Sequence, residues 1–150
     1  MELIDAVTDF SIEKDIVRPE YDVEFRISED REVFAWGRSL IPYQVYSALC
    51  CVAYCNEIPI NMEQLTEYSI NHSPYRGDIA VAYTVWNCSD TKGSGRSLIL
   101  ALQKHFSEDT RIKRLVTLSP RTEMAKKFHL SNGAKLLSTN PESYNFEYEI

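Results

Sequence analysis

The sequence lacks the long apolar run and the excess of positive charge that would connect it to a membrane or to nucleic acid. No hydrophobic stretch approaches the length of a membrane span. The formal net charge is −6 over 150 residues, which argues against broad electrostatic attraction to nucleic acid or to anionic lipid. The first ten residues, MELIDAVTDF, have neither the basic region nor the apolar core of a signal peptide. We therefore expect a cytoplasmic protein.

The four cysteines lack the C-x-x-C spacing of a zinc knuckle. Cys50, Cys51 and Cys55 lie in one apolar run, and Cys88 ends another. Extended strands would place Cys51 and Cys55 on one face but too far apart for a disulfide. We interpret the cysteines as buried free thiols and expect no metal.

Repeats, low-complexity tracts and linkers are also absent, so we treat residues 1–150 as a single domain with one core. The N-terminal signals are weak. Apolar spacing over residues 3–17 predicts a helix that ends before Pro19, and alternation over residues 21–27 predicts a half-buried strand. Residues 33–36 favour a returning strand.

The middle of the chain gives clearer patterns. Residues 39–46 are ambiguous, but residues 47–55 are almost continuously apolar and predict a strand buried on both faces. Asn61 is expected to cap a short helix over Met62–Tyr68. Residues 71–78 predict a loop.

From residue 79 onward, strands and helices alternate, which indicates a layered α/β unit over residues 79–150. Ile79–Asn87 is a β-branched and aromatic run, residues 89–95 form a polar turn, and residues 96–106 are amphipathic. Another strand is predicted over residues 112–118.

A second helix is predicted over residues 122–130, with Thr122 as N-cap. Met124, Ala125, Phe128 and Leu130 would line one side of it. Asn132-Gly133 should end this helix, because glycine accepts the left-handed conformation of a helix stop. The last two strands are predicted over residues 134–137 and 145–150.

The turn before the first of these helices has the chemistry of an anion site. Gly93 and Gly95 let backbone N–H groups come close together, and the following helix directs its positive dipole end to the same place. Lys92 and Arg96 add positive charge beside it. The pattern predicts a phosphate or pyrophosphate cradle; the alternative is a tight strand-to-helix turn.

These motifs resemble the GNAT superfamily of acyl-CoA-dependent N-acetyltransferases. Residues 90–95, Asp-Thr-Lys-Gly-Ser-Gly, stand where that family has Gln/Arg-x-x-Gly-x-Gly/Ala. Residues 122–134 fall into the register of its Asn-x-x-Ala-x-x-Leu-Tyr-x-x-x-Gly-Phe helix. The resemblance implies an α/β (α+β) fold with a mixed, mostly antiparallel central sheet flanked by helices. It also implies a V-shaped splay between strands that end near Asn87 and Leu118. Asp90 and His129 depart from the family pattern.

A narrower resemblance is to the GNAT-fold catalytic domain of malonyl-CoA decarboxylases. It covers residues 83–120, with Thr117-Leu118-Ser119-Pro120 at a strand end. The Pro-Gly-Phe that follows in those enzymes is replaced here by Arg121-Thr122-Glu123. This resemblance implies an acyl-CoA lyase as the alternative activity.

The GNAT resemblance implies that the strand end and the glycine turn hold acetyl-CoA or another acyl-CoA. The candidate residues are Val85, Trp86, Cys88, Lys92, Gly93, Ser94, Gly95, Arg96 and Ser97. Trp86 walls the acyl pocket in this interpretation, or else is a core tryptophan. Lys92 and Arg96 contact the ligand or are solvated surface charges.

Two residues are candidates for catalysis. His129 occupies the register of the family's proton donor, and an imidazole with a pKa near about 6.5 can protonate a leaving thiolate. The alternative is a partly exposed helix histidine. Ser119 would hydrogen-bond a thioester carbonyl or a substrate carboxylate, or else cap the following turn.

The leading hypothesis is an N-acyltransferase in which a small or protein amine attacks the acyl-CoA thioester directly. Glu57, Asp78, Asp90 and Glu123 are all open as general bases, and the acidic balance suits a cationic amine. The alternatives are the acyl-CoA lyase and a non-catalytic binding or inhibitory module. The sequence names neither the acceptor nor the oligomeric state.

Overall fold

The computed structural model describes residues 1–5, 7–8, 15–40, 42–69, 76–88 and 92–150. These residues form eight strands and four helices. They are β1 (Glu2–Ile4), α1 (Val23–Ile27), β2 (Arg31–Leu40), β3 (Tyr43–Cys55), α2 (Met62–Tyr68), β4 (Ile79–Asn87), α3 (Ser94–Ser107), β5 (Arg114–Thr117), β6 (Ser119–Pro120), α4 (Glu123–Ser131), β7 (Lys135–Thr139) and β8 (Ser143–Tyr148). Within these ranges, no helix has the length and apolar character needed to cross a membrane.

One continuous sheet joins the two halves of the chain. Its strand order is β1-β2-β3-β4-β5-β8-β6, and β7 pairs with β8. β4 and β5 run parallel, whereas the other described pairs are antiparallel. The predicted mixed, mostly antiparallel sheet flanked by helices is therefore confirmed.

Helices cover both faces of the sheet. The apolar side of α3 packs on one face, where Ala80 and Ala82 of β4 present small side chains that let the helix approach. On the other face, side chains from α1 and α2 pack against Val81 and Tyr83 of β4. Because β3 lies between these two layers, every residue from 47 to 55 is buried, as its unbroken apolar run predicted.

Elements with local capping signals match their predictions closely. Asn61 caps α2 by accepting a hydrogen bond from the backbone N–H of Gln64 at 2.8 Å. Thr122 caps α4 in the same way, and Gly133 follows that helix with a φ of +94°. α3 begins at Ser94, two residues before the predicted residue 96, because Gly93 is its N-cap.

Of the three N-terminal predictions, the strand over residues 33–36 is confirmed as part of β2, whereas the other two are wrong where the structure describes them. Glu2–Ile4 is not helical but pairs with β2 as an edge strand, and residues 9–14 of the predicted helix lie outside the described residues. The alternating stretch from 21 to 27 is not a strand. It contains the short helix α1, because Asp22 accepts a hydrogen bond from the N–H of Phe25. Most of the predicted loop over 71–78 also lies outside the description.

Three predicted burials are also wrong. Met124 and Leu130 of α4 are 82% and 43% exposed, because that helix contacts the sheet mainly through Phe128 and His129. Cys88 is exposed at the end of β4, whereas Cys50, Cys51 and Cys55 are buried. None of the four cysteines forms a disulfide. Burial raises the pKa of the Cys51 thiol to about 11.

The splay predicted between β4 and β5 is present. The two strands pair over Ile79–Ala82 and Arg114–Thr117, and the last bond runs from Leu118 N–H to the Ala82 carbonyl at 2.9 Å. At the same level, Cys51 of β3 pairs with Thr84 of β4 and Val52 pairs with Ala82. Tyr83 therefore has no partner in β3 and forms a β-bulge. Such a bulge bends its strand, and here it lies directly after Ala82, where the pairing with β5 ends.

A buried ion pair joins the N-terminal segment, residues 15–27, to the bent part of β4. Arg26 Nη1 lies 2.6 Å from Asp15 Oδ2, and both side chains are 1% exposed. Thr84 of β4 donates to the same oxygen at 3.0 Å. Burial disfavours the charged form of Arg26, but its hydrogen bonds to Asp15 and Cys51 raise its pKa overall.

Asp15→Asn should therefore destabilise the fold strongly, because it leaves the Arg26 charge buried without a counter-charge. We expect a loss of about 3–5 kcal/mol in the free energy of unfolding, measured by urea denaturation at neutral pH. Glu147→Gln is the control, since Glu147 pairs with Arg114 at a partly exposed site and should cost less than about 1 kcal/mol. Equal losses in the two variants would contradict this assignment.

Candidate functional site

The open end of β4 directs backbone groups into the splay. The Cys88 N–H donates to the Ser47 carbonyl of β3 at 2.8 Å. Since backbone groups alternate in direction along a strand, Val85 and Asn87 direct theirs to the opposite side. That side is where β5 would lie, but β5 pairs with β4 only as far as Ala82. A ligand with an extended polar chain can add to this edge as a strand would.

The start of α3 lies at the same end of β4. Gly93, its N-cap, has a φ of +82° and no side chain to bond the first turn. The first helical bond runs from Ser97 N–H to the Gly93 carbonyl at 2.9 Å, so the N–H groups of Gly95 and Arg96 precede the regular ladder. Lys92 and Arg96 are exposed beside this turn. Backbone donors, a helix dipole and two cations are therefore combined, as an anion site requires.

α4 closes the third side of this site. A Cβ built on Gly95 would lie 3.2 Å from the Phe128 ring and 3.3 Å from Asn87 Oδ1. The end of β4, the start of α3 and the middle of α4 thus meet at one point. Any larger residue at position 95 would therefore press on the Phe128 ring and the Asn87 side chain.

The structure brings some of the predicted cofactor residues together and turns others away. Val85 is half-buried on the α3 face, whereas the Trp86 side chain is buried on the opposite face, 5.7 Å from Arg26. Trp86 Nε1 has no hydrogen-bond partner among the described residues. The N–H groups of Cys88 and Ser97 are already bonded within the protein, so neither is a backbone donor for a ligand.

The Ser119 hydroxyl is engaged locally. It is 3% exposed and donates to Thr117 Oγ1 at 2.8 Å. The same Thr117 oxygen accepts from the Phe146 N–H of β8 at 3.1 Å. Ser119 thus joins β5 and β6 to β8 in this structure, and its proposed contact with a thioester stays a prediction.

His129 lies inside the protein rather than at its surface. It is 5% exposed, packs against Phe128 and Phe146, and shares a hydrogen bond of 2.7 Å between Nδ1 and the Tyr148 hydroxyl. Burial lowers the pKa of His129 from 6.5 to about 4. The imidazole is therefore neutral at physiological pH, and the pKa near 6.5 expected for it from the sequence is wrong. Its role as proton donor stays a prediction.

Two of the four candidate bases lie away from the splay. Asp78 and Glu57 lie next to the opposite end of β4, and Asp78 pairs with Lys113 at 3.8 Å. Glu123 is exposed in the first turn of α4. Asp90 lies outside the described residues.

Sequence reasoning missed Arg18, which enters the splay from the N-terminal segment. Its Nε donates to the Tyr83 carbonyl at 2.7 Å, and its Nη2 donates to the Leu118 carbonyl at 3.0 Å. Arg18 thereby bridges the two strands just beyond their last pair. Burial lowers the pKa of this guanidinium, but the group stays protonated at neutral pH. Its partners lie 65 and 100 residues away in sequence, so no local pattern reveals the contact.

The neutral state of His129 predicts an acid-dependent loss of stability. Its folded pKa of about 4 lies below the unfolded value of 6.5, so the unfolded state binds the proton first as the pH falls. The contribution of His129 is complete above pH 6.5 and is lost towards pH 4, and it amounts to about 3 kcal/mol at most. His129→Phe should show a weaker fall in urea stability across this window.

Tyr148→Phe is the matched control for that measurement. It removes the hydroxyl that contacts Nδ1 but leaves the imidazole buried, so the acid dependence should remain. If wild type and His129→Phe lose stability in parallel between pH 6.5 and 4, the imidazole is not held neutral by burial.

Neither a protein-family model nor a curated protein sequence matches this chain. Solved structures do. NAA60 from Arabidopsis thaliana, in complexes with a bisubstrate analogue and with acetyl-CoA, matches with TM-scores of 0.63 and 0.62 at 15% and 16% identity. The matches cover 99% of this chain and 99% and 98% of the respective NAA60 chains.

Two further solved structures extend the comparison. Malonyl-CoA decarboxylase from Agrobacterium vitis matches with a TM-score of 0.69 at 16% identity, over 99% of this chain and 60% of that chain. The loading GNATL domain of CurA from Lyngbya majuscula matches with a TM-score of 0.60 at 11% identity, over 86% and 83% of the two chains. At these identities the likeness concerns the fold, and this chain has the GNAT fold.

Proposed function

We propose that this protein is an acyl-CoA-dependent N-acyltransferase. The observation that carries the proposal is the meeting of two features at one end of β4: the splay from β5 and the glycine-capped start of α3. The first suits an extended amide-containing chain, and the second suits a pyrophosphate. CoA has both parts in one molecule, and acetyl-CoA is bound in one of the NAA60 structures of the same fold.

Each feature of the site has a part in holding acyl-CoA. The N–H groups of Gly95 and Arg96 would bind pyrophosphate oxygens, with the side chains of Lys92 and Arg96 adding positive charge. The backbone groups of Val85 and Asn87 would bond the pantetheine amides. The thioester then lies in the splay, where an acceptor reaches it from the Arg18 side.

The chemistry is a direct transfer. The neutral amine attacks the thioester carbonyl, a C–N bond forms, the C–S bond breaks, and the amine's proton is lost to water or a base. Fixing both reactants in the splay supplies acceleration through proximity. The departing thiolate needs little help from a strong acid, because thiols have a pKa near about 8.5. This fits a neutral His129, and the turnover of His129→Phe with a reactive amine tests whether the imidazole contributes at all.

Two alternatives stay open to experiment. A lyase related to malonyl-CoA decarboxylase would release acetyl-CoA and carbon dioxide from malonyl-CoA with no amine present. A binding module would hold a ligand without turnover. No contact in the described residues favours either of them over transfer.

Arg96→Glu tests the pyrophosphate site with opposite effects on binding and folding. A negative charge in the first turn of α3 is favourable for the helix dipole, so the melting temperature should stay the same or rise slightly. The same charge repels pyrophosphate, so CoA affinity measured by isothermal titration calorimetry should fall by about tenfold or more.

Lys104→Glu is the matched control, because it makes the same charge change in the last turn of the same helix. There the negative charge opposes the dipole, so the melting temperature should fall while CoA affinity is unchanged. If Arg96→Glu keeps the wild-type affinity for CoA, or if both variants lose CoA affinity equally, CoA does not bind at the start of α3.

A further inference from the structure

Arg18 carries a positive charge into the splay, where the described residues provide no carboxylate that pairs with it. None of the ion pairs formed among the described residues includes Arg18. Glu20 and Asp15 act on it through space, but the Asp15 oxygens are bonded to Arg26 Nη1, to Thr84, and to the backbone N–H groups of residues 17 and 18. Arg18 therefore has the negative charges of Glu20 and Asp15 nearby but is in direct contact with no carboxylate among the described residues.

The guanidinium also has hydrogen-bonding capacity to spare. It has five N–H donors, and two of them bond the carbonyls of Tyr83 and Leu118. Nη1 donates to no described residue. The edge of the guanidinium formed by Nη1 and Nη2 thus keeps unused donors, and such an edge can bind a carboxylate through both oxygens.

The position of Arg18 is fixed by the surrounding protein. Asp15 Oδ1 accepts hydrogen bonds from the N–H groups of Val17 and Arg18 at 2.7 and 3.1 Å. Arg26 Nη2 donates to the Arg18 carbonyl at 2.7 Å. The backbone on both sides of the side chain is therefore held before any ligand arrives, which is what a recognition group needs.

We propose that Arg18 binds a carboxylate of the substrate in the splay. The carboxylate belongs to the acyl group, as in a dicarboxylic acyl-CoA, or to the acceptor, as in an amino acid. This inference rests on the proposed function, because that function places the thioester beside Arg18. Where the acceptor supplies the carboxylate, its chemistry is also defined, because a cationic amine with no carboxylate would meet the Arg18 charge unfavourably.

The test uses pairs of ligands that differ in one carboxylate. Calorimetry compares CoA, acetyl-CoA and succinyl-CoA, and turnover of acetyl-CoA compares amino acids with the matching amino acid amides. If the acyl group supplies the carboxylate, succinyl-CoA should bind about tenfold or more tighter than acetyl-CoA. If the acceptor supplies it, the two thioesters bind alike and the amino acid has a KM about tenfold or more below that of its amide.

Arg18→Gln should abolish whichever preference is found and leave the affinity for CoA itself unchanged. Arg18→Lys keeps the positive charge but loses the bridge between the Tyr83 and Leu118 carbonyls. It should therefore retain part of the carboxylate preference, which separates loss of the charge from loss of the bridge. Arg111→Gln is the matched control, since Arg111 is exposed at the opposite end of β5. Circular dichroism and melting temperature establish that each variant is folded.

The outcomes separate the two proposals. Binding of CoA with no carboxylate preference, or a preference that survives Arg18→Gln, overturns the role of Arg18 and leaves the acyltransferase proposal intact. Equal loss of affinity for CoA, acetyl-CoA and succinyl-CoA in Arg18→Gln means that Arg18 is structural, and also overturns the inference. No binding of any CoA species to the wild type overturns both proposals.

Discussion

The parting of two parallel strands is the constraint on which the rest of this structure depends. Beyond Ala82 and Thr117, β4 and β5 no longer pair, and the backbone polar groups along that gap need other partners. The extra residue Tyr83 produces the bend. Arg18 satisfies a carbonyl on each side of the gap. A ligand chain would satisfy the groups further along β4.

That constraint explains why a charged network is buried at this place. Asp15, Arg26 and Thr84 form bonds that tie the N-terminal segment to the bent part of β4. Replacing a buried ion pair with apolar residues is often neutral for stability. Here the network has a second effect, since the same bonds hold the Arg18 backbone beside the gap. The ion pair therefore positions a side chain as well as joining two segments.

The sequence predicted those elements whose signals are local. Asn61 and Thr122 bond N–H groups three residues away, and the apolar run of β3 reflects burial on both faces, so composition alone indicates these elements. α1 was mistaken for a strand because its five residues are too short to show a helical period. Arg18 and Asp15 could not be recognised, since their partners come from β4 and β5, far along the chain. The helix that carries His129 is predicted by its local pattern, but the pKa of His129 depends on burial against β8, which the motif does not contain.

The glycine at the start of α3 has a thermodynamic consequence. A side-chain cap stabilises a helix by about 1 kcal/mol relative to alanine, whereas glycine at that position costs only a few tenths relative to such a cap. Gly93 therefore gives up little stability in the free protein while leaving the N–H groups of Gly95 and Arg96 without a cap from residue 93. The anion of the proposed function would complete the helix in place of the missing side chain. Its concentration would then enter the folding equilibrium, so the protein would become harder to unfold as the concentration of that ligand rises.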